Sequence, residues 1–185
     1  EIEKMNLEID IIATSHGIIW RDNPMQIVDK YATWCNNFQE NQITIIYDTM
    51  WNGTKRLAEK IAEGIEAEDK DVVIKLFNIS KSDQNDVITE VFSSKTIVMG
   101  SPTVNNSLLP SIAGFMYMMK ERKFKNKKAA SFGCYGWSGE AVKNMNELLV
   151  SAGFEIIDDG FKNNWNPTPE KLEEAVEFGK KIAKS

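Results

Sequence analysis

From residue 42 to the C-terminus, apolar and polar positions alternate between two periods. "QITIIYD" (42–48) is a near-continuous apolar run, the pattern of a buried strand. Leu57, Ile61 and Ile65 then recur at helical spacing within 53–66. "DVVIKLFN" (71–78) predicts a second strand, and 82–94 a helix opened by Ser82 or Asp83 as N-cap. "TIVMGSP" (96–102) and "KKAASFGCY" (127–135) predict strands, each followed by a helix, over 107–121 and 138–151. "FEIIDDGF" (154–161) is the last strand, and 168–183 the last helix, with Pro169 suited to its first turn. The Met and Phe positions of "IAGFMYMMK" fall at helical spacing and read as core.

Five βα units in sequence specify an α/β fold: a doubly wound five-stranded parallel sheet with helices on both faces. The size suits the flavodoxin-like strand order 2-1-3-4-5 better than half of a six-stranded sheet. Right-handed crossovers place every βα loop on one edge, and a ligand binds beside strands 1 and 3, where the order switches. Residues 1–41 stand outside this rhythm. "LEIDIIATSHG" reads as one strand ending in a His loop, and "NPMQIVDKYATWCNNF" as one amphipathic helix started at Pro24. One strand and one helix bury no core alone, so we divide the chain into 1–41, a strand–helix remnant of a second domain, and 42–185.

Charge sharpens that division. The chain carries a net −5. Residues 1–42 hold seven acids and three bases, whereas the remainder is nearly balanced. The mild acidity argues against nucleic-acid binding. No apolar run approaches the roughly 20 residues of a membrane span. Cys35 and Cys134 lie far apart without metal-binding spacing, which suits a reduced, cytoplasmic setting. The chain begins at Glu1 without a Met. The run "KERKFKNKK" (120–128) holds six bases but falls at the amino edge, where a solvated face is expected.

Three loops meet at the carboxyl edge in the expected order. "DTMWNGT" (48–54) precedes a helix and offers Thr49, Thr54, Asn52 and the backbone around Gly53, an anion site. It has neither G-x-G-x-x-G nor a P-loop lysine, which favours a single phosphate over a triphosphate with Mg²⁺. Taken alone it is equally an N-cap turn built on Asn52 or Thr54. "GSPTVNNSLLP" offers Thr103, Asn105 and Asn106 to a ring edge, or simply caps a helix. "CYGWSGE" sets Tyr135 and Trp137 among glycines, as flat faces or as packing. Together the three supply a phosphate cradle, polar reach and aromatic faces, which a flavin mononucleotide (FMN) satisfies. His16 is the one histidine, and no Cys–His or Ser–His pair is placed for nucleophilic work.

"YDTMWNGT", "GSPTVNN" and "YGWSGEAVKNM" resemble the FMN domain of flavodiiron proteins, over nearly the whole chain and in order. That family joins a metallo-β-lactamase-like diiron domain to a flavodoxin-like domain and reduces dioxygen or nitric oxide. The resemblance implies that this chain is the C-terminal part of a longer oxidoreductase. It implies FMN contacts at Thr49, Met50, Trp51, Asn52, Gly53 and Thr54; at Ser101, Pro102, Thr103 and Asn105; and at Tyr135, Gly136, Trp137, Ser138 and Gly139. Small residues often stand at the Trp51 position, so its indole either stacks on the flavin or covers it. "IIATSHGIIWR" resembles the end of the diiron domain, with His16 its final iron ligand. The other ligands are not present in this chain, and one His does not hold two irons. The family further implies a head-to-tail homodimer and an external donor such as rubredoxin. Other readings are a stand-alone flavodoxin-type carrier or quinone reductase, and a receiver-like signalling module. For the last, Asp48 is present but "MGSP" ends strand 3 without an Asp.

Overall fold

Strand β3 (Glu40–Tyr47) is the central strand of the larger unit; from Gln42 onward every residue is buried. The computed structural model describes Met5, residues 7–35 and residues 38–185. The chain forms two units, Glu1–Phe38 and Gln39–Ser185.

In the second unit β3 pairs in parallel with β4 (Val73–Asn78) on one side and β5 (Ser94–Gly100) on the other. β6 (Lys128–Tyr135) pairs with β5, and its outer edge takes β7 (Glu155–Ile156) and β8 (Phe161–Asn164). With β7 and β8 counted as one broken strand, the order is the expected 2-1-3-4-5, all parallel. Neighbouring residues of β3 face opposite sides, so Ile45 and Ile46 enter different cores. On one side Ile46, Ile97 and Met99 meet Val87 and Val91 of α3 (Gln84–Ser93). The same core takes Ile112, Phe115, Met116 and Met119 of α4 (Pro110–Arg122), and Met145 and Leu149 of α5 (Glu140–Ser151). On the other, Ile43, Ile45, Val98 and Phe132 meet Leu57, Ile61 and Ile65 of α2 (Gly53–Glu68) and Phe178 and Ile182 of α6 (Pro169–Ala183). The apolar positions spaced along each helix are these buried residues.

Three expectations for this unit need correction. The last strand is broken: Gly160 has φ +101°, and its N–H donates to Asp158 Oδ1 at 2.7 Å, a tight turn between β7 and β8. The strand then resumes and runs to Asn164, three residues past the predicted end. The helix expected from 107 starts at Pro110, because Val104 and Ser107 exchange two backbone hydrogen bonds around Asn105 and Asn106. Both asparagines have positive φ, as a tight hairpin turn requires. Finally, the basic run is not all solvated. Lys127 is buried, and its Nζ donates to the carbonyl oxygens of Phe92 at 2.7 Å and Ser94 at 2.6 Å, at the C-terminal end of α3.

Burial lowers the Lys127 pKa to about 8. The unfolded chain therefore binds the extra proton between pH 8 and the ordinary lysine value, and stability gains from Lys127 as pH rises through that window. Below pH 8 the buried ammonium costs the fold its full desolvation penalty. We expect Lys127→Met to remove this pH-dependent part, roughly 1–3 kcal/mol, from the difference between urea unfolding curves at pH 7.5 and 10. Equal pH dependence in both proteins would show that Lys127 titrates normally.

The first unit is smaller. Strands β1 (Ile12–Ala13) and β2 (Ile19–Trp20) form an antiparallel pair, followed by α1 (Met25–Cys35). Where one strand was expected there are two, because "TSHG" turns the chain back: Thr14 Oγ1 donates to the His16 carbonyl at 2.9 Å. The helix expected over 23–38 is found over Met25–Cys35, and Asn36 and Asn37 lie outside the described residues. No described residue of α1 is buried, and no described residue of this unit belongs to either core.

Candidate functional site

The βα loops of the sheet gather at its carboxyl edge, joined by backbone hydrogen bonds from strand end to strand end. Asp48 N–H donates to Gly100, Ser101 to Phe132, Thr103 to Cys134 and Trp165 to Tyr135, at 2.7–3.1 Å. Above this seam lies a cleft of about 390 Å³, within the roughly 300–1,000 Å³ of small-molecule sites. Thr49, Met50, Trp51, Gly53 and Thr54 line it from the first loop, Pro102 and Thr103 from the second, and Tyr135, Gly136 and Trp137 from the third.

The floor is the N-terminus of α2. Asn52 holds the N-cap position with φ +63° and makes no side-chain cap. The first intrahelical bond is donated by Arg56 to Asn52 O, so the N–H groups of the preceding turn are free of helical partners. That turn has no acidic residue and carries Lys55 and Arg56, which favours an anion further. Gly53 keeps the floor open: a Cβ there would stand 3.1 Å from Cys134 Sγ and 3.5 Å from Asn166 Oδ1. Thr54 is 1% exposed, and its hydroxyl makes no hydrogen bond of normal geometry, its one polar neighbour being the weakly accepting Cys134 thiol. A buried hydroxyl without a partner is costly, on the order of 1–3 kcal/mol.

Asp48 fixes the first loop from beneath. Its carboxylate accepts from Thr49 N–H at 2.8 Å and from the hydroxyls of Ser80, in the turn after β4, and Ser111, in the first turn of α4. It is buried and engaged on both oxygens, so it acts as scaffold. Burial pushes the Cys134 thiol up, away from thiolate chemistry. The walls are aromatic. Trp137 is 92% exposed and Trp51 84%, so the core uses neither.

Several expected contacts do not reach the cleft. The Ser101 hydroxyl is buried within the fold, donating to Pro102 O at 2.9 Å and accepting from Leu109 N–H at 3.0 Å. Asn105 stands at the tip of its hairpin turn, exposed. Asn52 contributes backbone shape to the floor but does not line the cleft. Ser138 is likewise absent from the lining, and Gly139 packs behind Tyr135, where a Cβ would lie 3.2 Å from the ring. Cys134, Trp165 and Asn166 line it without having been expected. Cys134 is the penultimate residue of β6, whose pattern is plain in the sequence; Trp165 and Asn166 follow β8, which runs past the end its pattern predicts. His16 is exposed in the first unit, and no cluster of three His, Cys, Asp or Glu able to hold a metal occurs among the described residues.

A family model described as flavodoxin matches residues 45–179. The chain belongs to the flavodoxin family. Among curated relatives, it is 47% identical to the anaerobic nitric oxide reductase flavorubredoxin of Vibrio vulnificus, over all of this chain and 37% of that protein. It therefore spans less than two-fifths of the curated relatives it matches. Among solved structures, rubredoxin oxygen:oxidoreductase from Desulfovibrio gigas superposes with a TM-score of 0.91 at 29% identity, over 99% of this chain and 46% of that one. A flavodoxin from the domain Archaea superposes over 77% of this chain and 96% of its own length, with TM-score 0.69 and 27% identity. The first resemblance thus runs through the N-terminal unit; the second covers about as much as the sheet unit alone.

FMN is the cofactor of a flavodoxin domain, and the residues present fit it. The free N–H groups, the orphaned Thr54 hydroxyl and the side-chain-free Gly53 suit one phosphate at the α2 N-terminus. Tyr135, Trp137, Trp51 and Pro102 give the apolar faces a flavin ring needs.

Proposed function

We propose that this chain is the FMN-binding electron-transfer module of a longer flavodiiron reductase. The observation that carries the reading is the buried, unpartnered Thr54 hydroxyl at the floor of an aromatic cleft. Thr49, Gly53 and Thr54 hold the phosphate, the loop from Pro102 to Thr103 orients the cofactor, and Tyr135 with Trp137 shields its ring from water. The bound flavin supplies reversible uptake and release of electrons. Apolar and aromatic surroundings disfavour added negative charge on the ring, so these walls help set its potential.

The donor is an external protein such as rubredoxin, in keeping with the names of the relatives. The acceptor is a two-iron site in the preceding part of the longer protein, where dioxygen or nitric oxide is reduced. Residues 1–41 are the tail of that metallo-β-lactamase-like domain, and His16 ligates iron only there. The parent works as a head-to-tail homodimer in the cytoplasm. Among the described residues no helix is long and apolar enough to cross a membrane.

The test is direct. The chain incubated with FMN and desalted should retain one flavin per protein and show a flavin's visible spectrum. A protein left colourless after that treatment overturns the reading.

A further inference from the structure

The cleft has a fourth wall, from the segment that follows β8. We propose that Trp165 is a ligand-contacting residue of this cleft, its indole held in place by a backbone conformation that a tryptophan rarely adopts; the proposal rests on the FMN reading of the site.

Three observations support it. The first is the backbone. Trp165 has φ +58°, in the left-handed region. The other described non-glycine residues with positive φ are Asn23, Asn52, Asn105, Asn106 and Asn126, with Lys123 at a helix C-terminus. Asparagine is the residue that tolerates this region, and a bulky one there is an outlier. Strained residues of this kind gather at ligand sites, where the surroundings over-determine them.

The second is how tightly the strain is held. Trp165 N–H donates to Tyr135 O at 2.7 Å, and its own carbonyl accepts from the side chain of Asn163 at 2.7 Å. Asn163 is 1% exposed, so this amide is a fixed part of the interior. Asn164 Nδ2 donates to Gly136 O at 2.9 Å. Asn163 thus closes the turn on itself, and Asn164 fastens it to the third loop, at the residues that precede Trp137.

The third is that the fold makes little use of the indole itself. The residue is 63% exposed. Its ring lies over Gly136, where an added Cβ would be 3.4 Å away, and 5.9 Å from the Trp137 ring at 57°. Next along the chain, Asn166 lines the cleft, and Asn166 and Pro167 stand 3.5 and 3.6 Å from where a Cβ on Gly53 would be. The turn therefore spans from the aromatic wall to the phosphate floor. A side chain needed only for folding would be Gly or Asn here, relieving the strain. A tryptophan in their place supplies what they lack, a flat apolar face.

Trp165→Gly separates the two roles, because glycine accepts this φ. We expect the flavin-free variant to unfold at the same or higher urea concentration than the wild type. Its dissociation constants for FMN and for riboflavin, read by quenching of flavin fluorescence, should both rise about tenfold by a common factor, the loss of one aromatic face. Trp165→Phe should recover most of that loss, and the visible circular dichroism of the bound flavin should change in the Gly variant. Unchanged affinity for both ligands in Trp165→Gly overturns the proposal, as does a loss confined to FMN, which would place the effect at the phosphate. A wild-type chain that binds no flavin overturns the reading of the site itself, so the two failures are distinguishable.

Discussion

Thr54→Val stabilises the ligand-free protein and weakens its hold on FMN. Both effects follow from one atom. The Thr54 hydroxyl is buried in α2 with no hydrogen-bond partner, while valine is nearly its isostere with a methyl group in that place. Removing an unsatisfied buried hydroxyl should stabilise the fold by about 1 kcal/mol. A hydroxyl bonded to a phosphate contributes as a charge-assisted donor, so its removal should raise the FMN dissociation constant about 10- to 100-fold. Riboflavin, which has no phosphate, should bind the variant as it binds the wild type. Urea unfolding of the flavin-free proteins and titration with both ligands read the three quantities. An FMN affinity equal to the wild type would remove Thr54 from the phosphate site.

The largest loss of stability is expected where α2 crosses α6. A Cβ on Gly64 would lie 2.0 Å from the Val176 carbonyl oxygen, and one on Gly179 would lie 2.2 Å from that of Ile61. These are backbone atoms, and no rotamer change relieves the contact. In an unpacked helix, alanine improves on glycine by about 1 kcal/mol. At Gly64 the clash reverses the sign, and Gly64→Ala should destabilise by about 2–3 kcal/mol or more. Gly114 in α4 provides the control: a Cβ there meets nothing within 4 Å, so Gly114→Ala should stabilise by about 0.5–1 kcal/mol. Opposite signs in urea unfolding identify close helix packing as the cause. Because α2 begins at Gly53 and Thr54, pushing it off α6 should also loosen the FMN site, and affinity should fall with stability in Gly64→Ala alone.

Much of the sheet and of its site was readable from local pattern. β3 and β5 are apolar runs, and "DTMWNGT" sits between a strand and an amphipathic helix. Residue types suited to a phosphate and to a ring were visible in all three loops. Which of them are spent on the fold was not. Ser101 and Thr54 are both hydroxyls beside a strand end, yet Ser101 satisfies a loop while Thr54 meets no more than the Cys134 thiol. Asn105 looked like a donor for a ring edge, but its positive φ, which asparagine accepts, is what the turn uses. Lys127 looked like its five basic neighbours in the run, because sequence does not reveal that its ammonium reaches two carbonyls beneath α3.

Local pattern specified the alternation of strands and helices, the parallel sheet and the three loops at its edge. It did so because burial imposes periods of two and 3.6, and because short right-handed crossovers leave few topologies. Tertiary structure alone decided the break at Gly160 and the continuation of the chain to Trp165. β8 forms by pairing with the upper half of β6, a contact between residues about 29 positions apart. Such pairing leaves no local period in "FKNNWN", and it is what carries an indole to the rim of the cleft.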